Sequence, residues 1–525
     1  MDESWEAQEE QTSDPLVDGK GVLFRRTVRG GYWVLAIQVV TQLLALGKMI
    51  LLARLLIKVD MGVLGIALLA TQTLQTFSAT GFRTALIHDR KDIRPYLDTA
   101  WTLHAIRGIF LAALLFAAAP VLASMKVPPD KMDTALGVIR AMACVFLLGG
   151  LQNIGPVYFT KELDFRSVFI YRVASTLVDI IVSIVLLLLL RSVWAYVWGR
   201  LAAGGVHLLL SYVMHPYRPR FTIDWHRART MWQYGRWITL MTVLVFLVNS
   251  GDDYFVWAYL GVSALAVYQM AYRFSNVPAV QVAAILAEVS FPAFAKLQTD
   301  IPRLRQAYLK TLFLAALLSL PLAGGIIGLA PEFVRLFLTE KWSAVSPVLQ
   351  ILTIKAALRA SGMIRSSLFQ AAGKPHIMTR MQVARVVWLA ALIYPLTVKA
   401  GLVGTAWAIT ISGLAVLPFE LRHVARILGC SIRRSVQPLV IPLVSTGVMM
   451  AVIVAVRAPL HGGVYFRGFF GMILVAMITY TGSVYLLDRW FGRHVRTLLT
   501  EQLKLLAAIV RDKWSNRTGK SSDVS

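Results

Sequence analysis

The sequence predicts an all-α polytopic membrane protein with about fourteen transmembrane helices. Three observations predict it. The 525 residues are 57% hydrophobic and only 15% charged, against about 45–50% and about 25% in soluble domains. The apolar residues gather in runs of about twenty, the length that crosses the hydrocarbon core as a helix. Breaker residues punctuate those runs at Pro128-Pro129, Pro216 with Pro219, Pro302, Pro331, Gly373-Lys374-Pro375 and Pro438.

In chain order, residues 1–29 are acidic at their start and lack an apolar run of the signal-peptide kind, so they read as a cytoplasmic tail. The predicted spans are 30–56, 61–82, 100–123, 134–158, 167–190, 193–214, 231–258, 263–291, 308–330, 346–371, 376–398, 401–424, 438–456 and 465–487. The connections are too short to hold an extramembrane catalytic domain. After Asp488, the apolar residues Val495, Leu498, Leu499, Leu505, Leu506 and Ile509 recur at helical spacing, interleaved with Arg493, Arg496, Lys504 and Arg511. That pattern suits a basic amphipathic helix on the inner leaflet, or a surface helix packed on the protein.

The 53 Lys and Arg outnumber the 28 Asp and Glu, a net charge of +25. In a soluble chain such an excess would point to nucleic acid. Here the basic residues sit between apolar runs, and alternate connections differ sharply. One set, with the two tails, carries 32 Lys and Arg and the other carries 10. The positive-inside bias places the richer set, and both termini, in the cytoplasm. Nucleic acid is therefore not an expected partner.

Eleven cations remain within the spans: Lys48, Arg107, Arg140, Arg172, Arg200, Arg236, Arg273, Lys355, Arg359, Arg365 and Arg385. Each would cost about 2.5–3.5 kcal/mol if it faced lipid at mid-depth. Arg107, Arg140, Arg172, Arg200 and Arg236 lie near span ends, where snorkelling or pairing satisfies them. Lys48, Arg273, Lys355, Arg359 and Arg385 lie deeper and are the candidate cavity cations. Polar stripes accompany them. Gln38, Thr41, Gln42 and Lys48 share one helix face, as do Gln72, Gln75 and Thr76. So do Gln269, Arg273 and Asn276, and Lys355, Arg359, Gly362 and Ser366. With Asn249, these amides can line a wet cleft or hydrogen-bond between helices.

The intramembrane acids are fewer: Asp179, Asp252, Asp253, Glu288 and Glu420. They can pair with the cations or serve as coupling sites. A cavity richer in cations than acids selects anions, and phosphate or diphosphate matches the arginine fork. There is no phosphate-binding loop, zinc-protease motif, nucleophile elbow or paired-cysteine metal motif. No cofactor, metal site or catalytic residue is expected, and the two cysteines, Cys144 and Cys430, do not suggest a disulfide framework.

Residues 249–298 carry a longer pattern: Asn249, Asp252, Leu260-Gly261, Tyr268, Ala271-Tyr272-Arg273, Pro278, Phe291-Pro292 and Gln298. In this order they resemble the polysaccharide transporter, or Wzx-type oligosaccharide flippase, family of the multidrug/oligosaccharidyl-lipid/polysaccharide exporter superfamily. Leu52-Ala53-Arg54-Leu55-Leu56, Glu162-Leu163-Asp164-Phe165-Arg166 and Gly373-Lys374-Pro375 agree with it. The likeness covers most of residues 20–485. Leu56-Ile57, Asp253 and Ala266 depart from the family's usual pattern, which leaves substrate detail open.

The resemblance implies two pseudo-symmetric six-helix lobes plus two C-terminal helices. The lobes would be residues 30–214 and 231–424, joined by a cytoplasmic linker at 215–230. Helices 13 and 14 would occupy 438–487, and a basic cytoplasmic tail 488–525. It implies flipping of undecaprenyl-diphosphate-linked oligosaccharide repeat units across the bacterial cytoplasmic membrane, by alternating access, for exopolysaccharide, capsule or O-antigen synthesis. The expected partners are that lipid-linked substrate, membrane lipids, and polysaccharide polymerase and export machinery. The alternatives are a peptidoglycan-precursor flippase or cation-coupled drug exporter of the same superfamily, or a membrane-embedded glycosyltransferase or polymerase. An acidic interior would favour the drug exporter, and a large extramembrane loop would favour the enzyme.

Overall fold

The computed structural model describes residues 40–78, 94–162, 164–457 and 466–491, all helix, turn or irregular, with no strand among them. Gln38 and the C-terminal amphipathic segment lie outside the described residues. The first helix, α1, occupies 40–55. It is followed by α2 (Lys58–Phe77), α3 (Arg94–Ser124), α4 (Met132–Gly150), α5 (Phe165–Leu190) and α6 (Trp194–Val213). Next come α7 (Trp225–Leu260), α8 (Val262–Lys296), α9 (Ile301–Phe333) and α10 (Val345–Ala371). The long helix Pro375–Leu428 is interrupted by non-helical backbone at Ala400 and Gly401; its halves, 375–399 and 402–428, are α11 and α12. The last are α13 (Val440–Arg457) and α14 (Phe466–Phe491). Among the described residues, eight helices are long and apolar enough to cross a membrane by length and composition, Pro375–Leu428 being counted once.

Helix ends follow local chemistry. Asp164 caps α5 by accepting from Ser167 N at 3.2 Å, and Asp300 caps α9 by accepting from Arg303 N at 3.1 Å. A single residue, Gly261, separates α7 from α8 with φ +87°. That left-handed turn explains the glycine of the Leu260-Gly261 pair. Gly373, with φ +68°, ends α10 in the same way just before Pro375 opens α11.

The chain forms two compact units. The first contains the described residues up to Phe274, with Phe337–Val348 and Gln382–Ser412. Within it α5 packs along α6 and α3 along α4, while α4 also meets α2 and α6. Close approaches occur where side chains vanish. A Cβ on Gly108 would fall 2.7 Å from the Cα of Gly150, and one on Gly199 would fall 1.9 Å from Ser183 Oγ.

Two polar seams tie irregular segments into this unit. Lys341 Nζ donates to the carbonyls of Arg54 and Leu56, both at 2.8 Å, and Trp342 Nε1 donates to Ala53 O at 2.7 Å. These donors satisfy carbonyls at the C-terminal end of α1, which the helix itself leaves unpaired. The second seam holds residues 217–224 against the start of α3. Asp98 accepts from Arg220 N at 3.0 Å and from the Tyr217 hydroxyl, Thr102 Oγ1 from Thr222 N at 3.1 Å, and Thr99 Oγ1 from Asp224 N at 3.2 Å.

The second unit contains Ser275–Leu336, Leu349–Met381 and the described residues from Gly413 onward. Its core gathers Phe294, Tyr308, Leu312, Ile364, Leu368 and Val424. Arg365 and Glu420 form a buried pair at 2.8 Å, and Arg457 pairs with Glu332 at 2.7 Å. More than half of the most apolar stretch within Ile301–Leu338 is buried, but only about a sixth of that in Phe466–Trp490. The outward side chains of α14, such as Leu474, Met477 and Ile478, are apolar and exposed. Such a surface is stable in lipid and not in water.

Candidate functional site

The first unit contains a cavity of about 580 Å³ whose lining comes from α1, α2, α4, α5, α6 and α8. Each helix presents one stripe to it. On α1 the stripe is Thr41, Gln42, Ala45, Lys48, Met49 and Leu52; on α6 it is Tyr196, Arg200, Ala203, Gly204 and His207. Both follow the i, i+3/i+4, i+7/i+8, i+11 spacing of one helix face. Ser175, Thr176 and Asp179 come from α5, Gln75 from α2, Gln152 from the turn after α4, and Arg273 from α8.

Lys48 is buried in the wall. Its ammonium lies 2.5 Å from Asp179 Oδ2 and 4.2 Å from the centre of the Tyr196 ring. Ser183 Oγ donates to the other Asp179 oxygen at 3.4 Å. The carboxylate and the ring face therefore take up the charge of Lys48 locally. Arg200 and Arg273 differ. Both are exposed within the first unit and line the cavity. Among the described residues, neither has a carboxylate within ion-pair distance, and the recorded polar neighbour of Arg273 is the Met49 sulfur at 3.9 Å. His207 stacks on Tyr171, with ring centres 3.9 Å apart. The cavity thus carries two more cations than acids, with hydroxyls and amides between them. Such a site attracts a multivalent, hydroxyl-bearing anion.

The candidate residues from the sequence fall into three groups. Lys48, Arg273, Gln42, Gln75 and Asp179 line this one cavity. Gln72, Asn249, Gln269, Asp252, Asp253 and Arg385 belong to the same unit but are not among its lining residues. Lys355, Arg359, Asn276 and Glu288 belong to the second unit. Several have local partners. Asp252 accepts from the Tyr268 hydroxyl at 2.6 Å, both residues being fully buried, and Asn249 donates to Val245 O at 2.9 Å. Arg385 donates to Gln382 Oε1 at 3.1 Å. The Gln269 amide lies over Gly65, where a Cβ would come within 2.8 Å of its oxygen.

Arg200, Tyr196 and His207 were not singled out by sequence as cavity residues. Their spacing on α6 carried the signal, but Arg200 lies near a predicted span end, where snorkelling also accounts for it. Among the described residues, no group of three or more His, Cys, Asp or Glu could hold a metal ion.

Apolar helices of membrane-spanning length around a polar, cationic cavity define a multispanning membrane protein. The fold agrees with that class: the lipid II flippase MurJ superposes with a TM-score of 0.69 over 87% of this chain and 98% of its own, at 15% identity. The profile of the polysaccharide biosynthesis protein family matches residues 51–347, more than half of the chain, and the chain belongs to that family. Among its relatives, the lipopolysaccharide biosynthesis protein WzxC of Escherichia coli strain K12 is 24% identical over 396 residues, 75% of this chain and 79% of WzxC. The succinoglycan biosynthesis transport protein ExoT of Rhizobium meliloti strain 1021 is 24% identical over 312 residues, 59% of this chain and 62% of ExoT. The protein is an integral membrane member of that family, its apolar helices being of membrane-spanning length.

Proposed function

We propose that the protein flips undecaprenyl-diphosphate-linked oligosaccharide repeat units from the cytoplasmic to the periplasmic leaflet of the bacterial inner membrane. The units would feed exopolysaccharide, capsule or O-antigen synthesis, and polysaccharide polymerase and export machinery would receive them. The observation that carries this reading is the charge balance of the cavity. Asp179 answers Lys48, while Arg200 and Arg273 line the same space without an acid of their own among the described residues. A diphosphate diester brings two negative charges and oxygens that match guanidinium forks. Gln42, Gln75, Gln152, Ser175 and Thr176 offer hydrogen bonds to sugar hydroxyls.

The cavity would open alternately to the two membrane faces, so no covalent chemistry is needed. Fourteen spans in two six-helix lobes plus a C-terminal pair, with both termini cytoplasmic, complete the proposal. Lys355 and Arg359 are proposed as the second lobe's cationic contribution.

The test is polymer export in a strain carrying Arg200→Ala or Arg273→Ala. Loss of surface polymer with normal membrane levels of the variant is the expected result. Normal polymer yield from both variants would refute the cavity assignment. Labelling of introduced cysteines checks topology, because fourteen spans require both termini on the same side of the membrane, and a C-terminus opposite the N-terminus would refute the count.

A further inference from the structure

A second cavity, of about 290 Å³, adjoins the first in the same unit and shares Gln75, Val145 and Gly149 with it. Gly108 and Gly150, both buried, pack closely against each other beside it, where α3 crosses α4. Arg107 and His104 stand on its wall, and among the described residues no carboxylate lines it. Arg107 is held in place: Nε donates to Ser78 Oγ and Nη2 to the Gln75 carbonyl, each at 3.0 Å. The remaining nitrogen, Nη1, has no recorded partner among the described residues. One side of the guanidinium is anchored, leaving an N–H group for a ligand.

We infer that this second cavity is a glycan subsite for the sugars next to the diphosphate, and that Arg107 makes it prefer an acidic sugar by pairing with its carboxylate. The inference rests on the lipid-linked oligosaccharide reading above. Two features converge on it. The space opens off the diphosphate cavity. A fixed cation stands in a wall without acids among the described residues, where a carboxylate is the complementary group.

The test measures binding to the purified full chain in lipid nanodiscs. Three probes are used: farnesyl diphosphate, a farnesyl-diphosphate disaccharide containing glucuronic acid, and its glucose counterpart. The wild type should bind the acidic disaccharide about tenfold or more tightly than the neutral one, as expected for a charged hydrogen bond. Arg107→Gln should erase that preference, and Arg107→Lys should keep part of it. Gly149 supplies a second variant that does not touch Arg107. A Cβ there meets nothing within 4 Å, so Gly149→Leu can fill the neck between the cavities without a clash at its Cβ. It should weaken both disaccharides about tenfold, and more than it weakens farnesyl diphosphate. Equal binding of the two disaccharides by the wild type overturns the inference alone. So does a preference that survives Arg107→Gln, or disaccharide binding unaffected by Gly149→Leu. Failure of all three probes to bind the wild type overturns the underlying reading as well.

Discussion

Lys48 Nζ lies 2.5 Å from Asp179 Oδ2, joining α1 to α5 across the wall of the larger cavity, with both side chains largely buried. Asp179 therefore answers a cation that would otherwise stand alone in the wall. Removing only one member leaves an uncompensated buried charge, which costs about 3–5 kcal/mol. Asp179→Ala should lower the thermal unfolding midpoint of the purified protein. The double replacement Lys48→Met with Asp179→Leu should recover most of that loss. A double variant as unstable as Asp179→Ala would show that the pair contributes through something other than charge compensation.

The Gly199 contact makes a steric prediction. A Cβ there would meet Ser183 Oγ at 1.9 Å and the Asp179 carbonyl at 2.8 Å. Gly199→Ala should push α5 and α6 apart and destabilise the protein by about 1–3 kcal/mol, the usual range for overpacking. Adding Ser183→Gly should restore part of that stability, because it removes the nearer obstacle. Unfolding midpoints of the single and double variants decide the matter.

Asp252 and Tyr268 are both fully buried and hydrogen-bonded at 2.6 Å. This pair links α7 to α8 around the Gly261 turn. Tyr268→Phe should cost about 1–3 kcal/mol by leaving a buried carboxylate oxygen without its donor. It should leave the ion or pH dependence of transport unchanged. A shifted dependence in a transport assay would assign Asp252 a coupling role instead.

His215 follows α6, outside the membrane-spanning helices. Its ring stacks on Tyr158 with centres 5.4 Å apart, and Nδ1 accepts from Tyr217 N at 3.1 Å. Burial pushes its pKa below the ordinary histidine value, with Arg218 acting in the same direction and Glu162 opposing. The fold thus favours the neutral ring. Its stabilisation is complete above the ordinary pKa, about 6.5, and is lost as pH falls from there through the lower folded value. The protection factors of the amides in residues 214–224, exchange rates corrected for their intrinsic pH dependence, should therefore fall on acidification through this window. In His215→Phe the acid-dependent part should disappear. Exchange with the same pH profile in both proteins would exclude His215 as the titrating group.

Much of the site's chemistry was legible in residue spacing. Lys48 and Gln42 share a face of α1 by helical period alone, and Arg273 reads as an intramembrane cation wherever α8 ends. The bend at Leu260-Gly261 was legible as a pattern, and the structure adds its cause, a backbone angle of φ +87° at Gly261. Arg200 and Arg107 were harder to place. A cation near a span end can reach headgroups or turn inward, and sequence distance from that end does not decide between them. Neighbouring helices decide, as Ser78 and Gln75 do for Arg107.

By itself, the sequence determined that this chain is a helical membrane protein with an excess of cations in its apolar spans. Those properties depend on composition and on a helical period that each segment carries alone. Only the tertiary structure decided which cations are neutralised and which line the cavity without an acid of their own among the described residues. Lys48 and Asp179 are 131 residues apart in the chain, and an ion pair depends on distance in space. The same packing brings Arg200 of α6 and Arg273 of α8 to one cavity, a juxtaposition that no local pattern encodes.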